Sequence, residues 1–281
     1  MSNTLKAIKL IVEKPIIEIK DYYSGRNRAN SVGDALENYV KDIFANTFDK
    51  SEEDRILTFN DVFSYLGNQN NPPDIILKNG DAIETKKVQS PNSSLALNSS
   101  YPKSKLYADS PMLTSACRNC EEWIKKDIVY VVGHTNDSRL KYLWMIYGDC
   151  FAADKEIYER IKTTISHGVN SIPDVEFTET NELGKIKKVD PLGVTDLRIR
   201  GMWHITNPHK IFSYLNCTDD SAEFQLISLM KIEKFDSFSV EDKKELLNID
   251  NENYIIKDIK FKNPNNPAKS LDGKLITFRV Y

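Results

Sequence analysis

Pro72-Pro73-Asp74-Ile75-Ile76-Leu77-Lys78-Asn79-Gly80-Asp81-Ala82-Ile83-Glu84-Thr85-Lys86-Lys87-Val88 decides how this 281-residue chain is read. Two short apolar runs flank Asn79-Gly80, a pair that favours tight reversals, so the stretch predicts a β-hairpin. Its register has a chemical consequence, because a slip of one residue moves every side chain of a strand to the other face. With Asn79-Gly80 as a two-residue turn, Asp74 opposes Thr85, and Asp74 and Glu84 point to opposite faces. With Lys78-Asn79-Gly80 as a three-residue loop and Gly80 left-handed in a bulge, Leu77 opposes Asp81 and Asp74 faces Glu84. The two carboxylates then start roughly 5 Å apart at Cβ, and Lys86 follows on the same face about 7 Å along the strand. The bulged loop is the register expected here.

Working outward, Ser31 reads as a helix N-cap with Asp34 three residues on. Leu36, Tyr39, Val40, Ile43 and Phe44 then recur at helical spacing, predicting an amphipathic helix over 32–46 that packs on a sheet. Ile128 to Gly133 and Tyr142 to Tyr147 have strand length and β-branched or aromatic content, and 154–166 reads as a helix. Helix, hairpin, strand, strand, helix is the order of an α/β fold with a mixed central β-sheet flanked by helices. Beyond Pro173 the pattern gives a strand over Val194 to Ile205, a short helix over Pro208 to Leu215 and a closing strand over Leu271 to Tyr281. Without repeats or low-complexity linkers, the simplest division is one domain, 1–281, with a core at about 30–167 and a C-terminal elaboration at about 170–281.

Bulk properties remove several function classes. Hydrophobic residues make up 40% and charged residues 28% of the chain, which excludes a disordered protein, and no apolar run approaches the roughly 18 residues that span a bilayer. Met1 to Val12 is followed by Glu13-Lys14-Pro15 without a small-residue cleavage site, so the expected compartment is the cytoplasm. Four cysteines are too scattered for a disulfide framework. Cys117 and Cys120 have metal-ligand spacing, but no second pair accompanies them, which favours two partly buried thiols over a zinc site. A net charge of −3 does not announce a nucleic-acid binder, although phosphate contacts depend on a local cleft more than on the total.

The hairpin residues suit one reaction. Hydrolysing a phosphodiester calls for a hard cation on oxygen ligands, a water beside it and positive charge for the leaving oxygen. Asp74 and Glu84 are the candidate ligands of Mg²⁺, and Lys86 the candidate to orient or deprotonate the water and balance charge. An acidic residue two before a lysine recurs at Glu18, Glu241, Asp242, Asp258 and Asp272, so that half of the pattern says little alone, and a surface hairpin with an exposed ion pair is the plain alternative. What raises it is the position of both halves on adjacent strands after an amphipathic helix. Glu37 on that helix is either a third acidic group facing the metal or the partner of Lys41 four residues on.

Tyr22-Tyr23-Ser24-Gly25-Arg26-Asn27-Arg28, Val32-Gly33-Asp34-Ala35-Leu36-Glu37, Tyr65 to Asp74 and Leu97-Asn98-Ser99-Ser100-Tyr101-Pro102 resemble the NgoPII-type type II restriction endonucleases, most densely over residues 20 to 150. These belong to the nucleases with a Pro-Asp and Asp/Glu-x-Lys core. The resemblance implies a restriction-endonuclease-like core, a catalytic set of Asp74, Glu84 and Lys86, and Mg²⁺-dependent cleavage of double-stranded DNA at a short palindrome, GGCC for the type member. It also implies a homodimer, since a two-fold site is met by two identical subunits, and a cognate DNA methyltransferase as genetic partner.

Two stretches offer DNA contacts. Between Asn92 and Lys105, Asn98, Ser99 and Ser100 suit base edges, while Lys103 and Lys105 suit phosphates; an ordinary polar loop is the alternative. Between Lys185 and Arg200, Arg198 and Arg200 would share a face of a strand and suit guanine, against a solvated charged surface. The rival functions are another nuclease of the same core, acting in repair or recombination, and a DNA-binding module that has lost catalysis.

Overall fold

The computed structural model describes residues 1–24, 32–68, 71–97, 100–110, 112–136, 138–178 and 180–281. Helices α1 (Thr4–Glu13), α2 (Ile19–Ser24), α3 (Val32–Ala45) and α4 (Glu52–Val62) lead into strands β1 (Phe63–Asn68), β2 (Asn71–Leu77) and β3 (Ala82–Val88). The predicted amphipathic helix is α3, and Leu36, Tyr39, Val40, Ile43 and Phe44 are all buried; Ser31, its expected cap, lies outside the described residues. α1 is amphipathic in the same way, with Leu5, Ile8, Ile11 and Val12 buried and the Asn3 side chain accepting from the Lys6 N–H. No helix among the described residues is long and apolar enough to cross a membrane.

Hairpin β2–β3 closes in the three-residue register. Ile76 pairs with Ala82 and Ile75 with Ile83, so one further step sets Asp74 opposite Glu84. The left-handed residue of the loop is Asn79, at φ +53°, and not Gly80 as expected. Asparagine tolerates that conformation. The Leu77 carbonyl accepts from the Gly80 N–H at 2.9 Å, and the Asn79 N–H donates to Glu121 at 3.0 Å.

After β4 (Leu95–Ala96), β5 (Lys105–Tyr107) and α5 (Ser115–Arg118) come the two long strands β6 (Lys125–Asn136) and β7 (Arg139–Tyr147). They contain both strands foreseen there. α6 (Gly148–Phe151) and α7 (Lys155–Asn170) follow, and then a small antiparallel sheet of β8 (Glu176–Phe177), β9 (Gly184–Lys187) and β10 (Leu197–Ile199). The single strand expected over Val194 to Ile205 is therefore corrected: β10 pairs with β9, while β11 (His204–Ile205) pairs with β4. Val194, Leu197 and Met202 are exposed, so no buried face holds this stretch to one ladder. α8 (Pro208–Ile211) with the 3₁₀ turn Ser213–Leu215 fills the short helix foreseen there.

The chain ends in β12 (Phe224–Lys231), α9 (Ile232–Ser237), α10 (Val240–Leu247), β13 (Tyr254–Asn263) and β14 (Asn266–Val280). The main sheet runs β1-β2-β3-β6-β7-β12-β14-β13. It is mixed: β3 is parallel to β6 and β12 parallel to β7, and the other neighbours are antiparallel. β12, which the sequence reading passes over, is buried along seven of its eight residues, Gln225 and Ser228 included, because an inner strand is covered on both faces and shows no strict alternation. The closing strand starts earlier than expected, since Asn266 to Asp272 is held by pairing with β13 and carries almost no buried residue.

One contact fixes which face of the sheet is open. The Leu36 side chain of α3 lies where a Cβ on Gly133 would stand, at 2.7 Å, and Gly133 shares its face with Thr85 through the parallel register. Glu84 and Lys86 therefore project from the opposite face, beside Ile128 and Tyr130.

Candidate active site

β2 and β3 part company at Asp74. Continuing the ladder would give the Thr85 N–H to the Pro73 carbonyl; instead it is donated to Asp74 Oδ2 at 2.6 Å, which fixes the carboxylate on the strand it faces. The Pro73 carbonyl is turned toward β1, where a Cβ on Gly67 would lie 2.4 Å from it and 3.0 Å from the Asp74 Cα. Only glycine permits that approach.

Glu84 is 7% exposed. Its Oε1 is 2.6 Å from the Lys86 ammonium, and its Oε2 is buried with no hydrogen-bond partner among the described residues. Burial, and next the neighbouring Glu84 charge, push the Asp74 carboxyl up to about 8, against the opposing effects of Lys86 and the Thr85 N–H. Burial pulls the Lys86 ammonium down, but the Glu84 and Asp74 charges outweigh it and its pKa is raised. The three groups form an electrostatic unit with one carboxylate more than the lysine balances.

They stand in a cleft of about 660 Å³, with Asn71, Ile128 and Tyr130 also in its walls. Lys103 reaches into it as well, only 5% exposed. Its Nζ donates to Ser100 Oγ at 2.7 Å and sits 4.4 Å from the Tyr101 ring centre. Burial pulls this ammonium down to about 8. Its backbone is held by the Lys103 N–H donating to the Tyr130 hydroxyl at 2.7 Å, and its carbonyl lies 2.3 Å from where a Cβ on Gly148 would be.

The other sequence candidates divide. Ser100 and Arg200 line the cleft; Asn98 and Ser99 lie outside the described residues. Lys105 is not brought there: its ammonium is held by Asp127 and by Asp149, at 2.5 and 2.9 Å. Arg198 and Arg200 share a face as expected, both on Glu182, though only Arg200 lines the cleft. Glu37 is exposed on α3, does not line the cleft, and acts on Asp74 and Lys86 through its charge; among the described residues it makes no ion pair with Lys41. Tyr101, Tyr130 and Glu182 were not candidates. Tyr130 pairs with Glu84 across the parallel ladder, so a β3–β6 pairing read from the sequence would have found it; Glu182 and Tyr101 carry no such signal.

The donor set fits a hard divalent cation. Two carboxylates converge, one with a buried oxygen that lacks a partner among the described residues, and oxygen ligands of this kind suit Mg²⁺ or its relatives. Among the described residues, the walls carry three carboxylates, Asp74, Glu84 and Glu182, and three basic side chains, Lys86, Lys103 and Arg200.

Comparison with known proteins narrows the chemistry. The family model described as NgoPII restriction endonuclease matches residues 2–262. A type II restriction enzyme, NgoPII of Neisseria gonorrhoeae, is 46% identical over 279 residues, covering 99% of this chain and all of that protein. The chain belongs to the NgoPII restriction endonuclease family. As a member of that family it is a type II, site-specific deoxyribonuclease, and the α/β architecture with its mixed sheet is consistent with a restriction-endonuclease-like core. No solved structure matches this NgoPII-family chain.

Proposed function

We propose that this NgoPII-family enzyme hydrolyses double-stranded DNA at a short palindrome, GGCC, using Mg²⁺ held by Asp74 and Glu84, with Lys86 as the catalytic cation. The observation that supports this reading is the meeting of those three side chains on one face, in an open cleft, with the buried Glu84 Oε2 lacking a partner among the described residues. When bound, Mg²⁺ supplies Lewis acidity to the phosphate and acidifies a water at its side.

The chain's own groups do the rest. The Thr85 N–H orients Asp74, and Glu84 Oε1 orients Lys86, so neither has to be ordered when substrate arrives. The Lys86 ammonium donates to the attacking water or to a phosphate oxygen and offsets charge as the leaving oxygen departs. Lys103, and Ser100 beside it, meet the DNA strand, and Glu37 adds negative charge behind the ligand pair. Two copies acting on a two-fold site cut one strand each. The cytoplasm is the expected compartment, and a methyltransferase protecting the same sequence the expected genetic partner.

Digestion of a plasmid of known sequence tests the proposal. Wild type is expected to give discrete fragments in Mg²⁺ and none in EDTA. Lys86→Ala is expected to bind the plasmid and leave it intact. Fragments from Lys86→Ala at the wild-type rate would remove Lys86 from the mechanism, and fragments that do not end at GGCC would correct the target.

A further inference from the structure

Glu182 is a carboxylate that holds two arginines at the rim of the cleft. Its side chain is 12% exposed, against 55% for Arg198 and 62% for Arg200. Arg198 gives its Nε to Oε2 at 3.1 Å and its Nη2 to Oε1 at 3.0 Å, so its side edge, with two donors, is already engaged. Arg200 approaches it as an ion pair only, with its Nε 2.8 Å from Oε1. Both terminal nitrogens of Arg200 are unengaged by any described residue. The arrangement is built into the small sheet: Ile199 pairs with Gly184, and the Leu183 N–H donates to the Ile199 carbonyl at 3.1 Å, which brings Glu182 beside Arg200. Glu182, Arg200, Gly201 and Met202 then face the same cleft as Asp74, Glu84 and Lys86.

We infer that Arg200 reads a guanine of the DNA site and that Glu182 is the positioning residue that aims it, with Arg198 as a brace on the same carboxylate. The inference rests on the DNA-cleaving reading above and adds the division of labour at its recognition edge. A bidentate contact to guanine O6 and N7 needs two N–H donors in fixed relation, and Arg200 keeps its terminal pair for that use. A pure phosphate contact would be poorly served here, because a shared carboxylate cancels part of the guanidinium charge and repels the backbone. Direction survives that cancellation; long-range attraction does not. Freezing the guanidinium before binding also lowers the ordering cost of the contact.

The test uses duplexes carrying GGCC, or the site that plasmid mapping gives, and variants with each G·C pair replaced by A·T. Cleavage in Mg²⁺ and binding in Ca²⁺ are measured on the same set. Arg200→Lys keeps the charge and loses the fork; it is expected to lower kcat/KM and affinity on the parent site by about 5- to 150-fold while leaving the duplex altered at the read pair nearly unaffected. Glu182→Gln is expected to lower the same discrimination in the same direction, by a smaller factor, and Arg198→Lys by less again. Undiminished discrimination in Arg200→Lys, or an Arg200→Ala variant that weakens every duplex equally and reduces the salt slope by about one, would make Arg200 a phosphate contact and overturn the inference. A Glu182→Gln variant that loses thermal stability but keeps full discrimination would reduce Glu182 to scaffold and overturn its part. Sequence-dependent binding that Arg200→Lys abolishes, in a wild type that cuts nothing, supports the contact and refutes the cleavage reading instead.

Discussion

At the residue scale, Lys103 and Asp74 show the site working against stability. Burial holds the Lys103 pKa at about 8, below its ordinary 10.5. A base with a depressed folded pKa penalises the folded state below that value, and the penalty disappears as pH rises from about 8 to the unfolded pKa, since there the unfolded chain binds more protons. Lys103→Met is therefore expected to raise unfolding free energy at pH 7 by up to roughly 3 kcal/mol, with the gain shrinking toward pH 10.5, as urea titrations at several pH values would show. The same variant should lose on the order of 10²-fold in cleavage rate, the size of one buried charge contact. Asp74 carries the complementary argument: two carboxylates sharing a site repel until a cation joins them. Asp74→Asn should melt higher than wild type in EDTA, and should not gain the Mg²⁺-dependent stabilisation expected of wild type, about 2.7 kcal/mol at a hundred times Kd. An equal Mg²⁺ shift in both proteins would place the cation elsewhere.

At the element scale, the geometry depends on β1 and β2 lying closer than side chains normally allow. Gly67→Ala puts a methyl 2.4 Å from the Pro73 carbonyl, and the strand that carries Asp74 must yield. The expected cost is about 1–3 kcal/mol of stability, and on the order of 10²-fold in kcat, because a displacement of about 1 Å is enough to spoil an aligned site. Denaturation and single-turnover cleavage measure the two effects separately; a variant that folds less well yet cuts at full rate would show that β1 does not set the Asp74 position. The opposite end of the hairpin is anchored by charge: Lys234 of α9 meets Asp81 and Asp127 at 2.7 Å each, and Lys126 donates to the Gly80 carbonyl at 2.9 Å. The turn is thereby tied to the C-terminal part of the chain.

At the scale of the whole molecule, the sheet does not stop where the sequence suggests a core. β12 lies between β7 and β14, Ser228 donates to the Met145 carbonyl at 2.9 Å, and the Trp144 ring lies 5.7 Å from that of Phe212. A fragment of residues 1–170 would leave β7 with an open edge and Trp144 uncovered. It is expected to aggregate or remain without a cooperative thermal transition, by circular dichroism and size exclusion, while the full chain melts as one unit. A fragment with a sharp transition of its own would establish the division near residue 170.

Local chemistry in the sequence was enough for the helix over 32–46 and for the hairpin, because each follows from periodicity or turn residues within about twenty residues; the register that sets Asp74 against Glu84 was chosen between two on the ground that only one lets the carboxylates meet. Which asparagine or glycine turns left-handed was not legible: Asn79 is positioned by Glu121, forty-two residues away. Nor were Tyr130, Tyr101 and Glu182, which enter the cleft through parallel pairing, ring stacking and a separate small sheet. Long-range pairing is decided by which apolar faces cover one another after collapse, and no local pattern encodes that choice. The sequence by itself named the candidate groups, because they lie within one hairpin; the tertiary structure decided what surrounds them.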